Sequence, residues 1–392
     1  MTTRFVTAEA VCIGHPDKLC DLIADTIVDA ALEADPTSRT AIEVMATGRS
    51  IIVGGEIACP KTLPIRALIR KALKRAGYEA QRFKITVLLR SQSADIAQGL
   101  TDSVEARSGE VDAIFRVGAG DQGTVYGYAT AQTGERLPLA LLLAHTLCQR
   151  IDTVRETGVI AGIHSDGKAQ VTLRYTDDKP VVDTVVVSVQ HDTDKPLEVL
   201  KRELIEHVIK PTLAAKRLDC HDDIRILINP TGAFTVGGPE ADCGLTGRKL
   251  MVDTYGGLAL HGGGAFSGKD GTKVDRSAAY MARLVARTIV DADLALEATV
   301  AISYAIGKAE PVAIHINTQG SAKMDEEKLS RCVREVFDLR PQAIIDALSL
   351  AGGQHFVDTA TYGHFGRTAF PWENTSAYVT ELKTLLEGGD AR

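Results

Sequence analysis

The sequence has few aromatic residues, no excess of positive charge, no closely paired cysteines and no long apolar run. Aromatic residues make up 5% of the 392 residues, which argues against a protein that stacks nucleic-acid bases on a series of rings. The net charge at pH 7 is −7, whereas a general nucleic-acid-binding surface shows a basic excess. We therefore expect no nucleic-acid partner, and any anionic ligand must be met by a local cluster of cations.

The cysteine pattern argues against zinc motifs and disulfides. The seven cysteines are scattered along the chain and none forms a C-x-x-C pair, and free thiols suit a reducing compartment. No stretch approaches the roughly 18 apolar residues of a membrane-spanning helix. These absences predict a cytoplasmic protein that does not associate with membranes.

The chain is longer than the roughly 250–300 residues that one hydrophobic core usually supports, and a pattern of helix, hairpin and helix recurs along it. Helical periodicity begins at Pro16, Pro138 and Asp275. Paired runs rich in β-branched residues then begin near 41, 169 and 300. Second amphipathic helices follow over 63–76, 196–215 and 325–339. The pattern predicts an internal repeat and an α+β fold with mostly antiparallel sheets, with coincidence of common elements as the alternative.

The stretch from 244 to 276 is the richest in groups that bind anions, with nine glycines, five Lys or Arg and three Asp. Glycines let backbone N–H groups approach an anion, and Lys and Arg neutralise phosphate oxygens. Within it, HGGGAFSGKD spells the G-x-x-x-x-G-K of a P-loop, but Asp270 stands where Ser or Thr would bind Mg²⁺. The alternatives are a solvated glycine-rich loop and a different polyphosphate site, in which a carboxylate such as that of Asp275 replaces the hydroxyl.

A second candidate is GHPDK at 14–18, where His15 and Asp17 flank the proline that opens a helix. A helix start favours anions, and Asp17 supplies another carboxylate for a metal. The alternative is an ordinary helix cap and turn. The sequence shows no Ser-His-Asp or Cys-His signature of nucleophilic catalysis.

Taken together, these stretches closely resemble the S-adenosylmethionine synthetase (methionine adenosyltransferase) family. The likeness runs from about residue 4 to 375 and is carried by GHPDK, GGE, GAGDQG, INPTG, DCGLTGRK, HGGGAFSGKD and YGHFGR. It implies three similar interleaved α+β domains with pseudo-threefold symmetry, mostly antiparallel sheets and helices on the outer face. We expect these domains at 1–102, 103–230 and 231–392. It also implies a homotetramer, a dimer of dimers, whose active sites are shared between paired subunits.

The resemblance implies that ATP, L-methionine and water give S-adenosylmethionine, phosphate and diphosphate. The methionine sulfur attacks C5′ of ATP, and the tripolyphosphate is then hydrolysed. A thioether has no proton to lose, so the attack needs no strong base. The chemical burden is instead alignment and the stabilisation of a leaving group of about four charges. The implied cofactors are two Mg²⁺ per site and K⁺.

The motifs carry the family's roles onto individual positions. Those with a catalytic role are His15, Lys168, Arg248, Lys269 and Lys273. Those that contact ATP are His15, Asp166, Lys168, Phe234, Asp242, Arg248, Lys249, Ala265 and Lys269. Those that contact methionine are Glu56, Gln92, Asp121, Asp242 and Lys273. The metal ligands are Asp17 and Asp275 for Mg²⁺ and Glu43 for K⁺. The segment at about 91–102 resembles the mobile loop that closes over the site.

Two departures from the family pattern are Ile13, where an acidic residue is usual, and Ala233, where an arginine is common. Neither removes a phosphate-binding or metal-binding group. Two other functions compete with the transferase. One is a Mg²⁺-dependent tripolyphosphate or nucleotide hydrolase that uses the same cations. The other is a non-catalytic nucleotide-binding or assembly protein.

Overall fold

The computed structural model describes residues 3–91, 103–110, 112–177, 179–218, 220, 223–352 and 355–388. The strands are β1 (Thr3–Val11), β2 (Arg39–Thr47), β3 (Ser50–Ala58), β4 (Lys84–Arg90), β5 (Gly123–Thr130), β6 (Ile163–Thr176), β7 (Lys179–His191), β8 (Arg225–Ile228), β9 (Gly244–Leu245), β10 (Glu297–Tyr304) and β11 (Ala313–Asn317). The α-helices are α1 (Pro16–Ala34), α2 (Ile65–Arg75), α3 (Val104–Arg107), α4 (Leu139–Glu156), α5 (Leu197–Leu204), α6 (Lys210–Ala215), α7 (Leu250–Asp253), α8 (Val274–Asp291), α9 (Glu326–Val336), α10 (Pro341–Ala347) and α11 (Ser376–Gly388). A π-helical turn, Ile205–Ile209, joins α5 to α6.

The described strands form three sheets with the orders β4-β3-β2-β9, β1-β6-β7-β8 and β11-β10-β5. Each sheet is built on one of the three predicted hairpins, β2–β3, β6–β7 and β10–β11, and each hairpin is antiparallel. The pairs β3–β4 and β7–β8 are parallel, so two of the sheets are mixed. The hairpins beside separate helices confirm the predicted α+β class.

Each sheet takes one strand from a distant part of the chain. Strand β1 pairs with β6, β5 pairs with β10, and β9 pairs with β2. The first hairpin unit thus lends a strand to the second, the second to the third and the third to the first. This cyclic exchange interleaves the three units.

The three long helices are buried rather than superficial. Helix α1 packs on β2, α4 on β6 and β1, and α8 on β5 and β10. The shorter helices lie outside them, with α2 against α1, α6 against α4, and α10 and α11 against α8. Each unit therefore has a sheet, a buried helix and an outer helical layer. Across the described ranges, no helix combines the length and apolar character that crossing a bilayer requires.

Helix α8 approaches β5 closely because Gly127 has no side chain. A Cβ at this position would lie 2.0 Å from the carbonyl carbon of Ala282 in the helix. The atom in the way is backbone, so the helix as a whole would have to move. Gly127 therefore sets the distance between the third sheet and its buried helix.

We expect Gly127→Ala to lower the free energy of unfolding by about 1–3 kcal/mol, because it forces two backbones apart in a packed core. Urea unfolding of the variant measures this loss. Gly134→Ala is the matched control, since a Cβ there meets no atom of the described residues within 4 Å. Equal stability of the two variants would contradict the close approach.

Candidate active site

His15 lies where the end of β1 turns into α1. Strand β1 pairs with β6 up to Val11, which lies opposite Lys168. Beyond the strand, the N–H of Gly14 donates to the carbonyl of Ser165 at 3.0 Å. These bonds hold the turn against β6, so that His15 and Lys168 lie on the same side of the molecule.

The imidazole of His15 is buried and neutral. Its Nδ1 accepts a hydrogen bond from the N–H of Asp17 at 3.2 Å, so the neutral ring carries its proton on Nε2. Burial, together with the ammonium groups of Lys249 and Lys168, lowers the pKa of His15 to about 3. The ring is therefore a neutral hydrogen-bond donor among cations at physiological pH.

Asp17 collects the cations of the glycine-rich stretch. Its carboxylate lies 2.5 Å from Nζ of Lys249 and 3.6 Å from Nη1 of Arg248, and it accepts the N–H of Leu245 at 3.0 Å. Burial opposes ionisation, but the hydrogen bonds from Lys249 and Leu245 outweigh it and lower the pKa of Asp17. We call His15, Asp17, Lys168, Arg248 and Lys249 the His15 group.

Three more predicted ATP contacts are Asp166, Phe234 and Asp242, of which Asp166 lies near Lys168 of this group. The carboxylate of Asp166 accepts the N–H of Gly238 at 2.7 Å, and burial raises its pKa. Two hydrogen bonds hold Phe234 at the end of β7. Its carbonyl accepts the backbone N–H of His191 at 2.9 Å, and its own N–H donates to Nε2 of the His191 imidazole at 3.2 Å. The negative charge of Asp242 contributes to the raised pKa of Asp166, which places these two carboxylates near each other.

A second cluster surrounds Lys269. Its ammonium lies 2.7 Å from Oδ2 of Asp275, at the start of α8. A Cβ on Gly264 would lie 2.3 Å from Oδ1 of the same aspartate, so the glycine loop packs directly on this carboxylate. Partial desolvation raises the pKa of Glu43, although the residue is exposed to solvent, and the charge of Lys269 opposes that rise. We call Glu43, Lys269 and Asp275 the Lys269 group.

Asp270, the residue that replaces the P-loop hydroxyl, is a structural anchor. Its buried carboxylate accepts the N–H of Thr40 at 2.7 Å and the N–H of Thr272 at 2.9 Å, and it lies 2.5 Å from Nζ of Lys273. Burial opposes ionisation, but Lys273 and these donors outweigh it and lower the pKa of Asp270. The aspartate thus holds the loop and Lys273 in place instead of facing a ligand.

The two groups lie along one edge of β2. Leu245, beside the His15 group, pairs with Met45, and Lys269 forms a bridge to Ala41. Four residues separate these positions on the strand, which corresponds to roughly 13 Å at 3.3 Å per residue. One chain therefore carries two separate halves of the predicted site on the same side of its first sheet.

In the described parts of the chain, no side-chain hydrogen bond or ion pair connects the two groups directly. Among the described residues, no hydrogen bond or ion pair links Asp17 to Asp275, and no group of three or more His, Cys, Asp or Glu is arranged to hold a metal ion. The two stretches also touch at Ala265, since a Cβ on Gly247 would lie 2.5 Å from its Cβ. The described part of a single chain thus provides separate carboxylates but no complete metal cage.

The predicted methionine contacts are dispersed. Glu56 pairs with Ala41 across the hairpin, on the opposite side of β2 from Lys269, so it flanks the Lys269 group. Asp121 is exposed, and its carboxylate accepts the N–H of Gln122. Gln92 and the predicted loop at about 91–102 lie outside the described residues except at residue 91.

Sequence reasoning missed two supporting residues. The hydroxyl of Tyr78 donates to the carbonyl of Gly14, next to His15, and His191 makes the two bonds that hold Phe234. Neither residue belongs to a motif, and their neighbours along the chain give no signal. Only the folded arrangement brings them to the site.

Comparisons with known proteins fit this geometry. Family models of the S-adenosylmethionine synthetase N-terminal, central and C-terminal domains match residues 3–98, 116–234 and 236–374. The S-adenosylmethionine synthase of Nocardioides sp. (strain ATCC BAA-499 / JS614) is 46% identical, over 96% of this chain and 97% of the relative. That of Clostridium botulinum (strain Alaska E43 / Type E3) is 45% identical, over 98% of this chain and 100% of the relative.

The chain belongs to the S-adenosylmethionine synthetase family. Membership confirms the resemblance that the motifs carry, and the hydrolase and non-catalytic alternatives gain no support from these relatives. The three matched regions each contain one of the hairpins, and each supplies one strand to another region's sheet. The domain limits at 102 and 230 stay a prediction, because β1, β5 and β9 pair across them.

The neutral state of His15 has a consequence for stability in acid. The unfolded ring takes up a proton near pH 6.5, whereas the folded ring stays neutral down to about pH 3, so acid favours unfolding by about 1.4 kcal/mol per pH unit. We expect His15→Asn to remove this contribution. Urea unfolding at pH 7 and pH 5 should show a smaller loss in the variant than in the wild type, by about 1–2 kcal/mol. Equal losses would mean that the folded ring titrates normally.

Proposed function

We propose that this chain makes S-adenosylmethionine from ATP and L-methionine, with the His15 group holding the triphosphate. The observation that carries the proposal is the arrangement of Lys168, Arg248 and Lys249 around a neutral, buried His15. Three cations beside one uncharged donor suit a polyanion whose charge increases as a bond breaks. The relatives that cover nearly the whole chain carry the name of this activity.

The residues act by position and charge. The attacking sulfur loses no proton, so catalysis requires alignment with C5′ and stabilisation of the departing oxygen. Nε2–H of His15 is the neutral donor for that oxygen, and the ammonium groups of Lys168 and Lys249 offset the growing charge. A single well-placed donor of this type contributes about 3–4 kcal/mol to the lowering of a barrier.

Family membership supports a divalent metal, and the carboxylates fit Mg²⁺. Asp17 is ionised, and Asp17 and Asp275 are each bonded to a lysine, so both carboxylates already face positive charge. Hard carboxylate oxygens are the ligands that Mg²⁺ prefers. When bound, two Mg²⁺ would neutralise phosphate oxygens of the leaving group. Asp17 and Asp275 are the residues that we assign to them.

The surroundings of Glu43 fit K⁺. The bridge between Ala41 and Lys269, continued by the bond from Ile42 N–H to the carbonyl of Gly268 at 2.9 Å, brings Ser267 opposite Glu43. Among the described residues, the buried hydroxyl of Ser267 has no hydrogen-bond partner. A carboxylate and an unpartnered hydroxyl are oxygen ligands for a monovalent cation.

A second copy of the chain would complete the site. The His15 and Lys269 groups lie on the same side of the first sheet, and Met45, Leu245 and Met251 beside them are exposed apolar side chains. A two-fold dimer through this side would place the His15 group of one subunit against the Lys269 group of its partner. We propose such a dimer, paired again into a tetramer. The cytoplasmic location predicted from the free thiols stays part of the same proposal.

The reaction itself is the first test. With ATP, methionine, Mg²⁺ and K⁺, we expect a sulfonium product together with equal amounts of phosphate and diphosphate, followed by mass spectrometry and phosphate analysis. The control omits methionine, since a hydrolase would release phosphate without it. Phosphate release that is independent of methionine, with no sulfonium product from folded protein, would overturn the proposal.

Site sharing has its own test. Asp17→Asn and Lys269→Met should each abolish activity in a homogeneous assembly. Subunits of both kinds, unfolded together and reassembled, should regain about a quarter of the wild-type activity, because half of the dimers contain one intact site out of two. Activity of the mixture is measured against each variant reassembled alone. No recovery in verified mixed dimers would place both residues in the site of one subunit.

A further inference from the structure

Helix α1 carries four aspartates at every fourth residue, Asp17, Asp21, Asp25 and Asp29. This spacing places them in one row along one face of the helix. Like charges four residues apart destabilise an isolated helix, and burial adds a further cost for each carboxylate. The row therefore needs partners from elsewhere in the fold.

Each of these aspartates accepts backbone N–H groups from the C-terminal half of the chain. The donors to the four residues, in order, are Leu245 at 3.0 Å, Gly247 at 2.9 Å, Gly268 at 2.9 Å, and Phe356 with Val357 at 2.8 and 2.9 Å. We call this arrangement the aspartate ladder. Two of its donors, Gly247 and Gly268, immediately precede predicted phosphate-binding cations.

Asp21 fixes the peptide that leads into Arg248 and Lys249. Its Oδ1 accepts the N–H of Gly247, whose φ of +73° directs the chain into the turn. Its Oδ2 accepts from Nζ of Lys18 at 2.9 Å. Both oxygens of this fully buried carboxylate are therefore occupied by donors.

Asp25 fixes the peptide that leads into Lys269. Its Oδ1 accepts the N–H of Gly268, and Arg276 binds both of its oxygens at 2.8 Å. Arg276 also donates to the carbonyl of Lys269 at 2.8 Å. On the other side, a Cβ on Gly268 would lie 2.1 Å from the carbonyl oxygen of Ile42. The backbone of Lys269 is thus held from several directions at once.

We propose that Asp21 and Asp25 are positioning residues for the reaction, and that they act through Gly247 and Gly268 to aim Arg248, Lys249 and Lys269 at the triphosphate. The inference rests on the proposed function. It goes beyond it by assigning a role to residues that contact neither substrate nor metal. One helix face would thereby align cations from both halves of the site.

Asp29 provides the matched control. The two oxygens of Asp29 accept the N–H groups of Phe356 and Val357, just as the two oxygens of Asp21 accept two donors. Unlike Gly247 and Gly268, however, neither of these donor residues precedes a predicted phosphate-binding cation. On each aspartate, an Asp→Asn change makes a new amide donor face a donor that the carboxylate accepted. Asp25→Asn also leaves the buried guanidinium of Arg276 without its paired carboxylate, so we expect it to lose more stability than Asp29→Asn.

The test compares Asp21→Asn, Asp25→Asn and Asp29→Asn in the full protein. We expect the first two to weaken binding of inorganic tripolyphosphate with Mg²⁺ about tenfold by calorimetry, and to lower kcat for sulfonium formation about 10–100-fold per folded molecule. Asp29→Asn should keep both values while its Tm falls. Wild-type binding and kcat in folded Asp21→Asn and Asp25→Asn, with only Tm lowered, would overturn the proposal.

Two features keep this result interpretable. Asp21 and Asp25 hold different peptides, so each variant tests the proposal separately. Asp21→Asn also relieves the excess of negative charge around Lys18, and it is therefore the variant expected to fold if Asp25→Asn does not. Tripolyphosphate binding is measured independently of turnover. If the wild type binds tripolyphosphate but forms no sulfonium product, the proposed function fails, while weaker binding by the variants still supports the ladder.

Discussion

The burial of three carboxylates along one face of α1, with that of Asp29 partly buried in the same row, is the constraint on which the rest of the site depends. Buried carboxylates require donors, and the glycine-rich segments supply these as backbone N–H groups at positions as distant as Leu245 and Val357. The same bonds close the third unit of the chain onto the first. A helix that belongs to the core therefore also fixes the positions of the predicted phosphate-binding loops.

Within this arrangement, the buried carboxylates around Lys18 outnumber the positive charges that they contact. Lys18 lies between Asp21 and Asp253, at 2.9 and 2.5 Å, so two buried carboxylates share one ammonium group. Burial raises the pKa of Asp21 to about 7, whereas the two carboxylates outweigh burial and raise the pKa of Lys18. Buried ion pairs contribute little net stability, which favours a role for this cluster in fixing geometry.

Local patterns in the sequence predicted the three hairpins and the starts of the long helices, because periodicity and proline act over a few residues. The motifs also identified His15, Asp17 and Lys249, which the structure brings together. The strand exchange had no local signal, since β1, β5 and β9 pair with partners far along the chain. Asp21 and Asp25 resemble ordinary polar helix residues until their long-range donors are known, and their spacing of four was the one available sign.

The pairing of cations with carboxylates explains how one chain tolerates a site built for a polyanion. Lys249 is bonded to Asp17 and Lys269 to Asp275, so each ammonium group lies beside an opposite charge. Under the proposed function, the same carboxylates bind the metal and the ammonium groups bind phosphate. The exchange then replaces each ion pair by two others, so that neither the carboxylate nor the ammonium group is left without an opposite charge. A site of uncompensated lysines would bind anions more readily, but it would oppose the folding of the loops that carry them.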